Sequence, residues 1–185
     1  MVFPLPFPLS LFPFPLTPLP LHSSLSTLHC VSGGGTLSAM RVYLAAAMTN
    51  AARDLGAIQA VLECLEEGGH EVPTRHVADP RGRAVEGALS DAEVASRDLA
   101  WVAGCDALVA EVSTPSHGVG VEVATALHHG VPVLLLHRRD TTVSRLLLGL
   151  PGVAAAAYGL ADEIAPAVLG FLRRAHRRPV PSGRD

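Results

Sequence analysis

The sequence contains no lysine, so all fourteen of its basic residues are arginines. A Walker-type phosphate loop and a Schiff-base mechanism both require lysine and are therefore excluded. Cys30, Cys64 and Cys105 are too few and too far apart for a zinc ribbon or a disulfide framework, and reduced thiols favour a cytoplasmic location. The nine histidines show neither H-E-x-x-H nor H-x-x-E-H spacing, which argues against a metal site. A net charge of −3 indicates neither a nucleic-acid partner nor a membrane surface.

Charged residues are also missing from the first 39 positions, where Phe-Pro and Leu-Pro alternate from position 3 to position 21. Because proline blocks helix propagation, this segment is not expected to span a membrane. Met40 directly precedes the first strand-like run, so we expect residues 1–39 to be a mis-assigned or disordered extension, with a targeting segment as the alternative. Residues 40–178 are then expected to form one catalytic domain, and residues 179–185 a tail.

From Met40 onward, apolar strand patterns alternate with helical patterns. The predicted strands are 41–47, 70–75, 106–112, 131–137 and 153–158, and the predicted helices are 53–68, 90–105, 118–129, 141–148 and 160–174. This alternation predicts a flavodoxin- or Rossmann-like three-layer α/β sandwich with a five-stranded parallel sheet. Ligands bind such sheets beyond the carboxyl ends of the strands, so we expect the chemistry in the loops after positions 47, 75 and 112.

The most informative stretch follows the third predicted strand, where residues 116–122 read SHGVGVE. Gly118 and Gly120 permit a ligand to approach the backbone closely, and the N–H groups of a helix start, with the Ser116 hydroxyl, suit phosphate. Glu122 lies near the helix start, where the dipole favours its ionised form, and such a carboxylate suits attack on an anomeric carbon. An ordinary first-turn glutamate, beside glycines that only pack helix on strand, would give the same pattern.

Asp98 and Tyr43 are the other two candidate catalytic residues. In the helix predicted at 90–105, Leu99 and Val102 face the core, which leaves Asp98 at the border of the buried stripe. Glycosidic chemistry uses two carboxylates, one to attack and one to handle the leaving group's proton, so Asp98 is a candidate partner for Glu122. Tyr43 lies inside the first strand, where its hydroxyl would orient the nucleophile. A solvated helix aspartate and a core tyrosine are the alternative interpretations.

Taken together, these segments resemble the nucleoside 2-deoxyribosyltransferase superfamily, and within it the 2′-deoxynucleoside 5′-phosphate N-hydrolases. The resemblance covers nearly all of residues 41–174 and depends mainly on residues 109–122, which read VAEVSTPSHGVGVE. Shorter matches are VYL at 42–44, TRHVA at 74–78 and RDLAW at 97–101. The resemblance implies a homodimer that hydrolyses the N-glycosidic bond of deoxynucleoside 5′-monophosphates without metal or cofactor.

The same resemblance implies residue roles. Glu122 would attack C1′ to give a 2-deoxyribosyl-enzyme that water hydrolyses, Asp98 would assist proton transfer, and Tyr43 would orient the nucleophile. Ser116 would contact the 5′-phosphate, and Ser144 lies near the position where the family brings a second phosphate-contacting serine from the partner subunit. Further candidate substrate contacts are Gly118, Gly120, His76 and four residues of the first loop, Ala46, Met48, Thr49 and Asn50.

The first loop departs from the family pattern. The hydrolases usually carry GSIRGG there, with the serine and the arginine on the phosphate, whereas residues 46–51 here read AAMTNA. Ala47 and Thr49 replace the serine and the arginine, so a charge-assisted bond to phosphate would be lost unless Thr49, Asn50 or Arg53 substitutes for it. Two alternative functions therefore stay open: a deoxyribosyltransferase for unphosphorylated nucleosides, and a non-catalytic nucleotide-binding module.

Overall fold

The computed structural model describes residues 38–177. The expectations for the proline-rich extension and the C-terminal tail fall on residues 1–37 and 178–185, outside the described range. Within residues 38–177, no helix combines the length and the apolar character that crossing a membrane requires.

Four parallel strands form the central sheet, in the order in which they occur along the chain. They are β1 (Val42–Ala46), β2 (Ala107–Glu111), β3 (Val133–Arg138) and β4 (Val153–Tyr158). Every residue of β1 and β2 is buried. Their nearly continuous apolar sequences follow from this position, because a strand covered on both faces has no solvent side to fill with polar residues.

Helices cover both faces of the sheet. The helices are α1 (Leu55–Glu67), α2 (Gly82–Glu86), α3 (Asp91–Ala103), α4 (His117–His128), α5 (Arg145–Leu148) and α6 (Ile164–His176), and two 3-10 turns span Arg75–Ala78 and Ala161–Glu163. Ser90 and Glu93 form the capping box that the sequence predicts at the start of α3. The helix predicted at 141–148 is present only as the single turn α5.

The alternation of side chains along β1 assigns the helices to two layers. Val42 and Leu44 pack in one apolar cluster with α1 and α6, whereas Tyr43 and Ala45 pack in a second cluster with α3 and α4. Each fully buried aliphatic side chain in these clusters contributes about 1.5–3 kcal/mol. The predicted α/β architecture, with a parallel sheet between two helical layers, is therefore confirmed, and the layer of α3 and α4 is the one that Tyr43 faces.

The prediction of five strands was wrong, because the segment expected at 70–75 makes only an isolated bridge. Glu71 pairs with Arg41 on the side of β1 away from β2, and its N–H donates to the Met40 carbonyl. The next bond of a parallel ladder would require an N–H from Pro73, which proline lacks. The Thr74 hydroxyl instead accepts the Leu44 N–H at 2.9 Å, and the chain turns away.

Candidate active site

The centre of the site is a hydrogen bond between β1 and α4. Tyr43 projects from β1 toward the α3–α4 layer with 2% of its surface exposed, and Glu122 lies in the second turn of α4. The Tyr43 hydroxyl donates to Glu122 Oε1 at 2.8 Å. This bond engages one carboxylate oxygen, so Oε2 remains available to a ligand.

Asp98 reaches the same place from α3. Arg97 Nε donates to Asp98 Oδ1 at 2.8 Å, and Arg97 Nη2 donates to Glu86 Oε1 at 2.8 Å. The guanidinium also lies 4.8 Å from the ring centre of Trp101. One arginine therefore holds two carboxylates in fixed positions beside Glu122.

These carboxylates line one cavity of about 570 Å³, whose wall includes Thr49, Glu86, Asp98, Gly118 and Glu122. That volume lies within the range of small-molecule pockets. A Cβ added at Gly118 would meet only the Ser116 hydroxyl, at 3.7 Å. Packing within the protein thus does not require glycine there, and the open space is available to a ligand.

Burial decides the charge state of Glu122. Removal of its carboxylate from water raises its pKa to about 7, with smaller increases from Asp98 and Glu86, while the Tyr43 hydrogen bond lowers it. Burial therefore opposes the ionised form that the helix start was expected to favour, so Glu122 ionises only as pH approaches neutrality. Burial, and then the negative charges of Glu122 and Asp98, also raise the pKa of Tyr43, which stays a hydrogen-bond donor.

The loop between β2 and α4, the helix that carries Glu122, is anchored by a buried carboxylate at the end of β2. Glu111 is 1% exposed and accepts hydrogen bonds from the Tyr158 hydroxyl at 3.0 Å and from the Ser113 N–H at 3.1 Å. The Ser113 hydroxyl bonds to the same carboxylate and accepts the Arg138 N–H at 2.8 Å. The chain between β2 and α4 thus leaves the sheet in a fixed direction.

Of the first-loop candidates, only Thr49 lines the cavity. Ala46 is buried in the cluster beneath α1 and α6, and the Asn50 side chain accepts the Ala52 N–H at 2.9 Å. Met48 packs beside Arg53, with 3.6 Å between its sulfur and Nη1.

The remaining candidates lie around this cavity rather than in it. Ser116 caps α4 by accepting the Val119 N–H at 3.4 Å, and it lines a neighbouring cavity of about 890 Å³ together with Gly120 and Ser144. His76 lies in the 3-10 turn and contacts Glu86 Oε1 through Nε2 at 3.3 Å.

Four charged residues of the site were not recognised in the sequence as site residues: Arg83, Glu86, Asp91 and Arg97. Glu86 and Arg83 belong to α2, a five-residue helix in a segment without an apolar repeat. Arg97 stands beside Asp98 in the sequence, and that adjacency was the one available signal. Among the described residues, no group of three or more His, Cys, Asp or Glu side chains is placed to hold a metal ion.

Comparison with known proteins identifies sequence relatives of this chain. A Methanosarcina mazei protein with the provisional name 2′-deoxynucleoside 5′-phosphate N-hydrolase 1 is 35% identical over 144 residues, which cover 77% of this chain and 88% of the relative. The chain belongs to the 2′-deoxynucleoside 5′-phosphate N-hydrolase family. A second member of this family, from Thermofilum pendens, is 42% identical over 113 residues, covering 60% of this chain and 78% of that protein. No protein-family model matches the chain.

Two further comparisons concern a mouse relative and a solved structure. The 5-hydroxymethyl-dUMP N-hydrolase of Mus musculus is 37% identical over 112 residues, covering 58% of this chain and 63% of that protein. The solved structure of a Clostridium botulinum CMP N-glycosidase matches with a TM-score of 0.55 at 23% identity, covering 71% of this chain and 98% of that chain. At that identity, the structural likeness shows the fold alone.

Proposed function

We propose that the protein hydrolyses the N-glycosidic bond of 2′-deoxynucleoside 5′-monophosphates to free base and 2-deoxyribose 5-phosphate. The observation that carries this proposal is the 2.8 Å hydrogen bond from Tyr43 to Glu122 at the wall of a cavity that Asp98 also lines. The names of the archaeal and mouse relatives, which are N-hydrolases, support the same reaction.

In the first step, Glu122 acts as the nucleophile. Its free carboxylate oxygen forms a bond to C1′ while the C1′–N bond breaks, and the electron pair of that bond leaves with the base. The departing nitrogen takes up a proton from solvent, and Asp98 is placed to assist that transfer. Tyr43 holds Oε1, so the carboxylate cannot rotate away from the sugar.

In the second step, water attacks C1′ of the 2-deoxyribosyl-enzyme and the C1′–O bond to Glu122 breaks. Asp98 assists removal of a proton from that water, and this proton replaces the one that the base took up in the first step, so the cycle balances. Arg97 holds Asp98 Oδ1 in both steps, so the same carboxyl group faces the base and then the water. The configuration at C1′ is retained overall in this scheme, because each of the two attacks inverts it.

The 5′-phosphate is assigned to the side of the site where α4 begins. The Ser116 oxygen already accepts the Val119 N–H, which leaves its O–H proton free to donate to a phosphate oxygen. The open space at Gly118 permits the substrate to approach the first turn of α4.

Base release from each deoxynucleoside monophosphate, followed by chromatography, tests the proposal. We expect base release by the parent protein and a loss of at least about 1,000-fold in Glu122→Gln, because the amide is not a competent nucleophile. Glu67→Gln, on the exposed side of α1, is the matched control and is expected to retain the parent rate. No base release from any monophosphate by the parent protein would reject hydrolysis.

One observation favours a second candidate, the transfer of deoxyribose between bases on unphosphorylated nucleosides. Thr49 lines the cavity where the family arginine is expected, and it carries no charge for a phosphate. Adding a second free base to a reaction with a deoxynucleoside distinguishes the two reactions. A new nucleoside would identify transfer, and its absence with continued base release would identify hydrolysis.

We also propose that the protein is a cytoplasmic homodimer. Val121 is 56% exposed and Leu146 is 76% exposed, and both line the second cavity together with Ser116 and Ser144. Large apolar side chains exposed around one cavity are typical of an interaction surface. The free thiols Cys64 and Cys105 are compatible with a reducing compartment.

A further inference from the structure

The first loop lacks the arginine that binds phosphate in the family, and the nearest arginine along the chain is occupied elsewhere. Arg53 donates from Nη1 to the Val77 carbonyl at 2.8 Å and from Nη2 to the Asp79 carbonyl at 2.9 Å. Both bonds hold the backbone of residues 77–79 against the first loop. Arg53 therefore acts as a structural clamp and does not replace the missing cation.

The clamped segment continues directly into α2, which packs tightly on the first loop. A Cβ added at Gly82 would lie 2.1 Å from the His76 carbonyl oxygen and 3.0 Å from the terminal carbon of Met48. Only glycine permits so close an approach without displacing backbone. The next residue along α2, Arg83, lines the same cavity as Thr49.

Arg83 is a cation placed to replace the lost one. It lines the same cavity as Thr49, Gly118 and Glu122, and its side chain is exposed. Within residues 38–177 it makes no ion pair, whereas Arg97 is paired with two carboxylates and Arg53 donates to two backbone carbonyls. We propose that Arg83 binds the 5′-phosphate of the nucleotide substrate, an inference that rests on the proposed hydrolysis of monophosphates.

The charge of the cavity favours a cation at the position where a phosphate binds. Four carboxylates line the cavity, and Arg83 is the one basic residue among its described lining residues. These carboxylates belong to Glu86, Asp91, Asp98 and Glu122. These carboxylates would repel a phosphate dianion that entered the cavity without a cation nearby. A guanidinium, in contrast, can pair with two phosphate oxygens at once.

The other candidate arginines near the site are placed less well. Arg97 is fixed between Glu86 and Asp98 and stacks on Trp101, so binding phosphate would require breaking two ion pairs. Arg145 lines the second cavity together with Ser116 and not the cavity of Glu122, so Arg145→Gln is the competing variant in the test below and is expected to keep the parent ratio.

The test compares kcat/KM for a deoxynucleoside monophosphate with kcat/KM for the same unphosphorylated deoxynucleoside. In Arg83→Gln we expect the ratio of the two values to fall about 10- to 100-fold, the usual effect of one lost charged hydrogen bond. The fall should come mainly from a higher KM, because the phosphate is distant from the bond that breaks. Arg83→Lys should recover part of the ratio, since lysine keeps the charge but loses bidentate geometry.

Arg81→Gln is the matched control, because Arg81 lies on the same segment, contacts Asp79 and does not line the cavity. It is expected to keep the parent ratio. An unchanged ratio in Arg83→Gln, or an equal fall in Arg81→Gln, would overturn the inference while leaving hydrolysis intact.

Direct binding separates this inference from the proposed reaction. Calorimetric titration with 2-deoxyribose 5-phosphate requires no turnover, and we expect binding by the parent protein that weakens in Arg83→Gln and persists in Arg81→Gln. If the parent releases no base but binds this ligand through Arg83, hydrolysis fails and the phosphate site stands. If the ligand binds equally to the parent and to Arg83→Gln, the phosphate site is wrong whatever the rate of base release.

Discussion

At the scale of single residues, the pH dependence of the reaction should follow the ionisation of Glu122, whose pKa depends on burial and on its hydrogen bond to Tyr43. Glu122 must be ionised to attack C1′, and burial raises its pKa to about 7. We expect kcat/KM to increase as pH rises through about 7 and then to level off, since the ionised fraction of Glu122 grows over that interval. A pH–rate profile of the parent protein measures this limb, and a rate already maximal at pH 5 would contradict it.

Tyr43→Phe should change the pH at which the rate rises. The Tyr43 hydrogen bond lowers the Glu122 pKa against the effect of burial, so its removal should move the rising limb to higher pH. We expect a shift of about one pH unit together with a lower plateau rate, because one charged hydrogen bond is lost and the nucleophile is no longer oriented. A lower plateau without a shift would mean that Tyr43 contributes only orientation.

The same burial makes Glu122 unfavourable for stability once it is ionised. Its folded pKa of about 7 lies above the ordinary value of 4.5, so the folded state binds the proton more tightly than the unfolded state. The protonated group therefore contributes stability fully below pH 4.5, and this contribution is lost by the time pH has passed 7. The difference is about 3 kcal/mol.

Glu122→Gln removes this titration and tests the sign. The variant should be more stable than the parent at pH 8, and the gap in melting temperature should shrink as pH falls toward 4.5. Thermal denaturation at several pH values measures the gap, with Glu67→Gln as the exposed control. A gap that widens toward acid pH would show that Glu122 is stabilised in its charged form.

The sequence predicts those site residues whose position follows from the periodicity of a single strand or helix, and not those positioned by contacts between elements. Tyr43 and Glu122 could be located because strand alternation and the start of α4 define their faces, and family resemblance supplied their roles. Glu86 and Arg97 could not be paired in this way. Their contact joins α2 to α3 through an ion pair that no residue spacing specifies.

At the scale of elements, the segment between Pro73 and Gly82 replaces the predicted strand and leads into α2, which contributes Arg83 and Glu86 to the wall of the cavity. Pro73 cannot donate to β1, and the Thr74 hydroxyl takes the Leu44 N–H in place of a strand carbonyl. The strand prediction failed because one missing N–H ended a ladder that the apolar pattern favoured. The chain beyond it places Arg83 and Glu86 at the cavity, with His76 beside Glu86.

Gly82→Ala should disturb this segment selectively. The added methyl group would meet the His76 carbonyl, which is backbone and cannot rotate aside, so α2 must shift away from the first loop. We expect a cost of about 1–3 kcal/mol in unfolding free energy and a fall in kcat/KM, because Glu86 and Arg83 move with α2. Gly56→Ala on α1, where a Cβ would be 3.6 Å from Asp54, is the control and should be neutral or stabilising.

At the scale of the whole molecule, the parallel sheet could be predicted because five apolar runs alternate with helical patterns, and four of those runs are strands. The architecture brings the loops after β1 and β2 to one edge, where Thr49, Gly118 and Glu122 meet. The alternation of strands and helices does not predict whether the surface around the second cavity contacts another chain. There the exposed Val121 also lines the first cavity, so association of two chains would reach the catalytic side.

We therefore expect a variant that cannot form the proposed homodimer also to lose activity. Leu146 is 76% exposed on the second cavity, beside Ser144, so Leu146→Glu should place a charge in the proposed interface and yield a monomer by light scattering. If a partner's surface completes the substrate site, kcat/KM for monophosphates should fall at least about tenfold in that monomer. Leu160→Glu is the matched control, because Leu160 is 66% exposed and does not line either cavity. A Leu146→Glu protein that stays dimeric would place the interface elsewhere, and a fully active monomer would show that one chain forms the complete site.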